Sequence, residues 1–259
     1  MPTANVPGAQ IHFEIDGPPD APVILFSNSL GTTHRMWDPQ IAAFTKHFRI
    51  LRYDTRGHGN SSAPAGPYSL EQLAADALAL LDTLHLDRVH FCGLSLGGMT
   101  GIFLGATLPS RFRKLVLCDT APKIGVAETW NTRIAAVRSG GMKAVAGGVI
   151  ERWFTADFRK THPTETAAAL AMLESCNPEG YVSACAAVRD ADFRQLVGRI
   201  TLPTLAVTGT HDPVTTPSDA RAIQQAIPGA EYLELAAAHI SNIEASEHFN
   251  REVLAFLLK

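Results

Sequence analysis

Cysteine is scarce in this chain. There are four in 259 residues (Cys92, Cys118, Cys176 and Cys185). None stands in a close metal-type pairing, so a cysteine-built metal site is not expected. Cys92 and Cys118 lie in apolar, strand-like runs and read as small buried hydrophobes, which suits a reducing cytoplasm. No apolar run reaches the roughly 18 residues that a membrane span needs. Residues 1–17 are polar and mixed, without the charged-then-apolar order of an export signal. Lys and Arg form no block or stripe, and the formal net charge is −3, which argues against a nucleic-acid partner. Repeats and low-complexity tracts are also missing. What remains is a chain 46% hydrophobic, long enough for one large domain with a sizeable core, or a core plus a modest insertion.

Strand-like runs recur at 11–15, 23–27, 48–53, 89–92, 115–118, 204–208 and 231–235. Several are almost continuously apolar, as strands of a sheet covered on both faces are. Helical patterns lie between them. Over 70–84 the apolar residues fall at 70, 73, 74, 77, 78, 81 and 84. Ser69 is placed to cap that helix, with Gln72 at the reciprocal position. A second helix follows residue 95 and stops before Pro109. A third opens at Thr216-Pro217-Ser218-Asp219, with proline at its first position and an acid near its amino end. A last one spans about 247–258. Alternating strands and helices predict an α/β fold with a doubly wound, mostly parallel central sheet. The rhythm breaks over 122–195, where no strand is expected. That segment reads as a helical insertion, a cap over the site, with mobile-looking Gly140-Gly141 and Gly147-Gly148. The core is then 1–121 and 196–259.

Gly93-Leu94-Ser95-Leu96-Gly97 stands where a strand ends and a helix begins. Such a junction forces a tight turn whose tip residue sits near φ > 0. Gly93, Gly97 and Gly98 leave room for neighbouring backbone. Ser95 is thereby lifted out of the sheet. A serine hydroxyl needs a base to become a good nucleophile, and the base is commonly a histidine oriented by a carboxylate. Asp212 follows the strand at 204–208, and His239 follows the strand at 231–235 through Ala236-Ala237-Ala238. The order Ser95, Asp212, His239, each just after a strand, is more specific than any member alone. Asp119 is a second-ranked candidate for the acid.

Acyl transfer also needs two N–H donors where negative charge develops. Leu96, directly after the serine, is expected to supply one. Leu30, in the loop Asn28-Ser29-Leu30-Gly31, is expected to supply the other. The cluster Tyr53-Asp54-Thr55-Arg56-Gly57-His58-Gly59 is read as structural, with Asp54, Arg56 and the glycines tying the loops that support the nucleophile turn.

With these residues in place, the chain resembles the α/β-hydrolase superfamily with a helical cap along essentially its whole length. Gly93-Leu94-Ser95-Leu96-Gly97-Gly98, the Tyr53–His58 cluster and Gly209-Thr210-His211-Asp212 carry that likeness. Within the superfamily, Phe26-Ser27-Asn28-Ser29-Leu30-Gly31-Thr32, Met36-Trp37-Asp38-Pro39-Gln40, His90-Phe91-Cys92 and Leu115-Val116-Leu117-Cys118 resemble the 3-oxoadipate enol-lactone hydrolases. Asn28-Ser29 stands where many relatives have His-Gly, and it is the form that group is expected to carry. The resemblance implies opening of a small anionic enol lactone in bacterial breakdown of aromatic compounds. Ser95 is the nucleophile, His239 the acid/base and Asp212 its orienting partner. No metal or organic cofactor is expected.

An anionic substrate calls for a cationic partner. Residues 122–195 offer Arg133, Arg138, Arg152 and Arg159. Arg133 lies one helical turn beyond Trp130 and is the choice made here, with Trp130 and Trp153 as apolar walls. Competing readings keep the same serine: a carboxylesterase, a C–C bond hydrolase or a perhydrolase. A ligand receptor on the same fold is the non-enzymatic alternative. Halide- and epoxide-opening relatives place an aspartate where this chain has Ser95.

Overall fold

The computed structural model describes residues 2–259; Met1, which opens the polar stretch 1–17, lies outside them. The chain begins with strands β1 (Thr3–Val6), β2 (Ala9–Asp16) and β3 (Val23–Ser27). Helix α1 (Asp38–Phe44), strand β4 (Arg49–Tyr53) and helix α2 (Leu70–Thr83) follow. Next come β5 (Val89–Leu94), α3 (Leu96–Thr107) and β6 (Phe112–Cys118). Five helices precede the next strand: α4 (Ala127–Gly140), α5 (Lys143–Trp153), α6 (Ala156–Thr161), α7 (Pro163–Glu174) and α8 (Pro178–Asp190). The chain closes with β7 (Thr204–Gly209), α9 (Pro217–Ala226), β8 (Glu231–Leu235), α10 (Ser241–Glu244) and α11 (Ser246–Leu258).

The eight strands form one sheet in the order β1-β2-β4-β3-β5-β6-β7-β8. β1 and β2 pair antiparallel, and β2 meets β4 antiparallel. Every later pairing is parallel. β5 and β7 are buried along their full length, which is why their sequences are nearly unbroken apolar runs. α3 packs on β5 and β6, and α9 on β7 and β8.

Local chemistry explains the helix starts. Ser69 Oγ accepts the N–H of Gln72 at 3.2 Å, satisfying one of the free donors of α2. Thr216 and Asp219 form a reciprocal capping box on α9. Three expectations need correction. The strand expected at 89–92 runs on to Leu94, so Gly93 lies inside it. Gly147-Gly148 lie within helix α5. β1, which the sequence reading omits, pairs from Thr3 to Val6 as an edge strand. All four cysteines are buried and free. Among the described residues, no helix is long and apolar enough to cross a membrane.

Candidate active site

Ser95 sits between β5 and α3 with φ 57° and ψ −111°, off the regions that L-residues prefer. Three contacts hold it there. Its N–H donates to the Cys118 carbonyl (2.9 Å). Its carbonyl accepts the Thr120 hydroxyl (2.8 Å) and the Met99 N–H (2.9 Å). The turn also depends on close backbone approach. A Cβ on Gly97 would lie 2.1 Å from the Ser27 carbonyl oxygen, and one on Gly93 would lie 2.2 Å from that of Gly97.

β7 and β8 deliver the other two side chains. Asp212 lies in the turn after β7, and His239 lies between β8 and α10. His239 Nε2 is 2.9 Å from Ser95 Oγ, and His239 Nδ1 is 2.8 Å from Asp212 Oδ2. A carboxylate can only accept, so the proton sits on Nδ1 and Nε2 is left to accept from the serine. All three residues are buried. Asp212 Oδ1 also accepts the N–H groups of Val214 (2.7 Å) and Thr215 (3.1 Å), and Oδ2 accepts the Thr215 hydroxyl (2.7 Å). Burial pushes the Asp212 carboxyl up, but the His239 imidazole and these donors outweigh it and hold the group below the usual carboxylate range.

Asp119 is close by but faces elsewhere. Its Oδ1 accepts the Gly209 N–H (2.8 Å), and its Oδ2 accepts the Ser241 hydroxyl (2.5 Å). Burial first, and the charge on Asp212 second, push its carboxyl well above the usual range. It braces β7 against α10 and does not contact the imidazole.

The N–H groups of Leu30 and Leu96 have no hydrogen-bond partner among the described residues. Leu30 and Ser29 line the same cavity as Ser95. The loop carrying Leu30 is fixed from several sides. Asn28 Nδ2 donates to the Tyr53 carbonyl (2.6 Å), and Asn28 Oδ1 accepts from Trp37 Nε1 (3.0 Å). Gly31, with φ +82°, donates its N–H to His58 Nε2 at 3.0 Å. His58 Nδ1 in turn faces the Arg56 carbonyl at 3.2 Å. Burial depresses the His58 pKa, so the ring stays a neutral acceptor. The Tyr53–His58 cluster is thus structural, as expected, and Arg56 completes it through a buried pair with Asp76 on α2 (2.5 Å). The support reaches the Leu30 loop through His58, a role that the sequence reading did not assign.

The cavity above Ser95 and His239 is narrow, and helices from the 122–195 segment wall it. Trp130, Arg133 and Trp153 all line it. Arg152 lines it too, together with Tyr181 and Val188. Arg138 instead faces a separate groove beside Gly66 and Pro67. Arg133 lies over the Trp130 ring, 4.7 Å from its centroid, while Trp130 Nε1 donates to the Ile124 carbonyl (2.8 Å). Burial lowers the Arg152 pKa, and the like charge of Arg133 adds to the effect. The end of α5 also grips the histidine loop. The Ile240 N–H donates to the Trp153 carbonyl at 3.0 Å, and Glu244 accepts the N–H groups of Ala238 (2.9 Å) and Thr155 (3.2 Å).

Such an arrangement can generate a serine nucleophile, hold an oxyanion and attract an anion. Comparisons with known proteins place the chain among hydrolases of one fold. Residues 22–162 match the family described as the alpha/beta hydrolase fold. A 3-oxoadipate enol-lactonase of Acinetobacter baylyi is 40% identical over 98% of this chain and 96% of its own. The crystal structure of an enol-lactonase from Burkholderia xenovorans LB400 superposes with a TM-score of 0.99 at 48% identity, covering 100% of both chains. A Yersinia enterocolitica protein provisionally named a carbamate hydrolase is 30% identical over 96% of this chain and 92% of its own.

Proposed function

The chain belongs to the alpha/beta hydrolase family, and from that premise we propose that it hydrolyses 3-oxoadipate enol-lactone to 3-oxoadipate by a serine acyl-enzyme route. The observation that carries the substrate class is the pair Arg133 and Arg152. Two cations share the cavity of Ser95 and His239, with no carboxylate at ion-pair distance among the described residues. A neutral ester gives such a cavity nothing to neutralise, whereas a lactone bearing a carboxylate does.

In this reading His239 Nε2 takes the Ser95 proton as Oγ adds to the lactone carbonyl. The N–H groups of Leu30 and Leu96 receive the resulting oxyanion. Collapse breaks the ring C–O bond and releases an enolate, a better leaving group than a simple alkoxide. The enolate takes the proton held by His239 and settles as a ketone. Water, deprotonated by the same imidazole, then cleaves the acyl-Ser95 ester and restores the free hydroxyl. Asp212 keeps the imidazole oriented and stabilises its charged form. Every proton is carried by this chain's own side chains, so the route calls for no metal or organic cofactor. The helices of 122–195 serve as the cap, Trp130 and Trp153 as its apolar walls, and 1–121 with 196–259 as the core. The narrowness of the cavity means that a lactone enters by displacing these walls. The reaction fits bacterial, cytoplasmic breakdown of aromatic compounds.

The test compares kcat/KM for the carboxylated enol lactone, uncharged esters, carbamates and C–C bond substrates. A clear preference for the lactone acid is expected. Good cleavage of simple esters with no opening of the lactone acid overturns the substrate assignment. Failure of a fluorophosphonate to label Ser95 overturns the acyl-enzyme route.

A further inference from the structure

A second group of ligating side chains lies beneath the N-terminal strands, away from the cavity. His12 stands on β2, and His34 stands in the turn before α1. Their rings meet edge to face with centroids 5.1 Å apart. Each imidazole has one nitrogen committed to an acceptor. His12 Nδ1 lies 3.1 Å from the Pro2 carbonyl oxygen, and His34 Nδ1 lies 2.8 Å from Asp54 Oδ1. Those partners place a proton on Nδ1 of both rings; His34 Nε2 faces Glu14 Oε1, and on a neutral ring each Nε2 has a lone pair to offer. His12 is 0% exposed, and its Nε2 has no hydrogen-bond partner. Buried polar atoms are rarely left so, and an orphaned one calls for an explanation.

Glu14 supplies the third atom. Its Oε1 is 3.3 Å from His34 Nε2 and 4.0 Å from His12 Nε2. Ligands bound at about 2.1 Å in a tetrahedron stand about 3.4 Å apart, so Glu14 already lies near that spacing from both imidazoles. The surrounding charge also favours a cation. Glu14, Asp16 and Asp38 all pair with the single guanidinium of Arg52, and Asp54 adds a fourth carboxylate. His34 and Asp54 open onto a surface groove lined also by Gly59 and Met172, which gives an ion a path in.

We infer that His12, His34 and Glu14 form a site for one divalent transition ion of the zinc type, with Asp54 and the Pro2 carbonyl as the outer partners that fix the two rings. Imidazole nitrogens with one carboxylate suit such ions, and an acceptor behind each ligating imidazole is the usual companion of a metal site. Three protein ligands leave a position for water. The ion would clip β2 to the segment entering α1. It takes no part in the hydrolytic chemistry.

The test uses the full chain after treatment with a chelator. Zn2+ is titrated by calorimetry, and Co2+ is followed by its visible d–d absorption. Wild-type protein is expected to take up one ion per chain and to gain thermal stability from Zn2+. Glu14→Gln and His12→Asn are expected to bind at least tenfold more weakly, with hydrolysis by the metal-free Glu14→Gln protein unchanged. Glu14 is 40% exposed in its side chain, so its variant remains informative if His12→Asn fails to fold. No uptake by wild-type protein overturns the inference and leaves His34 as a protonated partner of Glu14 and Asp54. Undiminished binding by Glu14→Gln overturns it equally, because the ion would then reside elsewhere.

Discussion

Arg133 and Arg152 come from different helices, α4 and α5, and both line the cavity that holds Ser95. Their mutual repulsion adds to burial in lowering the Arg152 pKa, so a bound carboxylate relieves a strain already present. A hydrogen bond to a charged group contributes about 1.5–3 kcal/mol, or roughly 10- to 100-fold in binding. Arg133→Ala and Arg152→Ala are each expected to raise KM for the lactone acid by that factor. KM for an uncharged ester of similar size should change less than about threefold, since it makes no such bond. Steady-state kinetics on both substrates decide the matter, and equal effects would remove the arginines from carboxylate recognition.

Asp212 and Asp119 compete for one role in the sequence but hold different partners. Only Asp212 touches His239. Asp212→Asn is expected to lower kcat about 10³- to 10⁴-fold by favouring the wrong imidazole tautomer. Asp119→Asn keeps an acceptor for Gly209, and its effect on kcat should stay below about tenfold, as for a group outside the proton relay. Thermal melts of both variants separate loss of fold from loss of chemistry. A larger kcat loss in Asp119→Asn would reverse the assignment.

Local patterns made much of this legible. The buried strands betray themselves by unbroken apolar runs, and the helices by Ser69, by Thr216-Pro217 and by apolar spacing. The Ser95, Asp212 and His239 positions follow from the Gly93–Gly97 turn and from their order, each just after a strand. β1 escaped because it has four residues, of which only Ala4 and Val6 are buried. That alternation is too short to read. Arg152 was one of six arginines in residues 122–195, four of them candidates for the carboxylate. Its direction is set by how α5 packs, which helical phase within α5 does not reveal. The His58–Gly31 bond joins residues 27 apart, and the grouping of His12, His34 and Glu14 needs a strand, a turn and their packing together.

His58 holds the loop of Leu30, a proposed oxyanion donor, through Gly31, which makes it a positioning residue in that reading. His58→Leu removes the acceptor while keeping an apolar side chain in its place. Leu30 then loses part of its fixed position. The loss in kcat is expected to lie between about tenfold and the 10²–10³ typical of losing a donor outright. KM should move little, because in the proposed reading Arg133 and Arg152, and not this loop, hold the substrate carboxylate. A KM increase with unchanged kcat would show that the loop serves binding.

His90 sets a pH limit on stability. It lies on β5 against Phe48, ring centroids 5.4 Å apart, and its Nδ1 has no partner. Burial, with added repulsion from Lys114, Arg113 and Arg88, lowers its pKa from 6.5 to about 4. The folded ring therefore stays neutral across a range in which the unfolded chain binds a proton. Stability is full above pH 6.5 and falls as the pH drops towards 4. The gap sets an upper bound of about 3 kcal/mol, reduced by solvent screening. His90→Leu removes this proton uptake from both states. Carboxylates such as Asp212 and Asp54, whose folded pKa values are lowered, still protonate in both proteins and contribute equally to acid loss. The fall in Tm between pH 7 and pH 4.5 should therefore be smaller in His90→Leu than in wild type by about 2–6 °C. Parallel curves, whatever their offset, would show that His90 is not the group responsible.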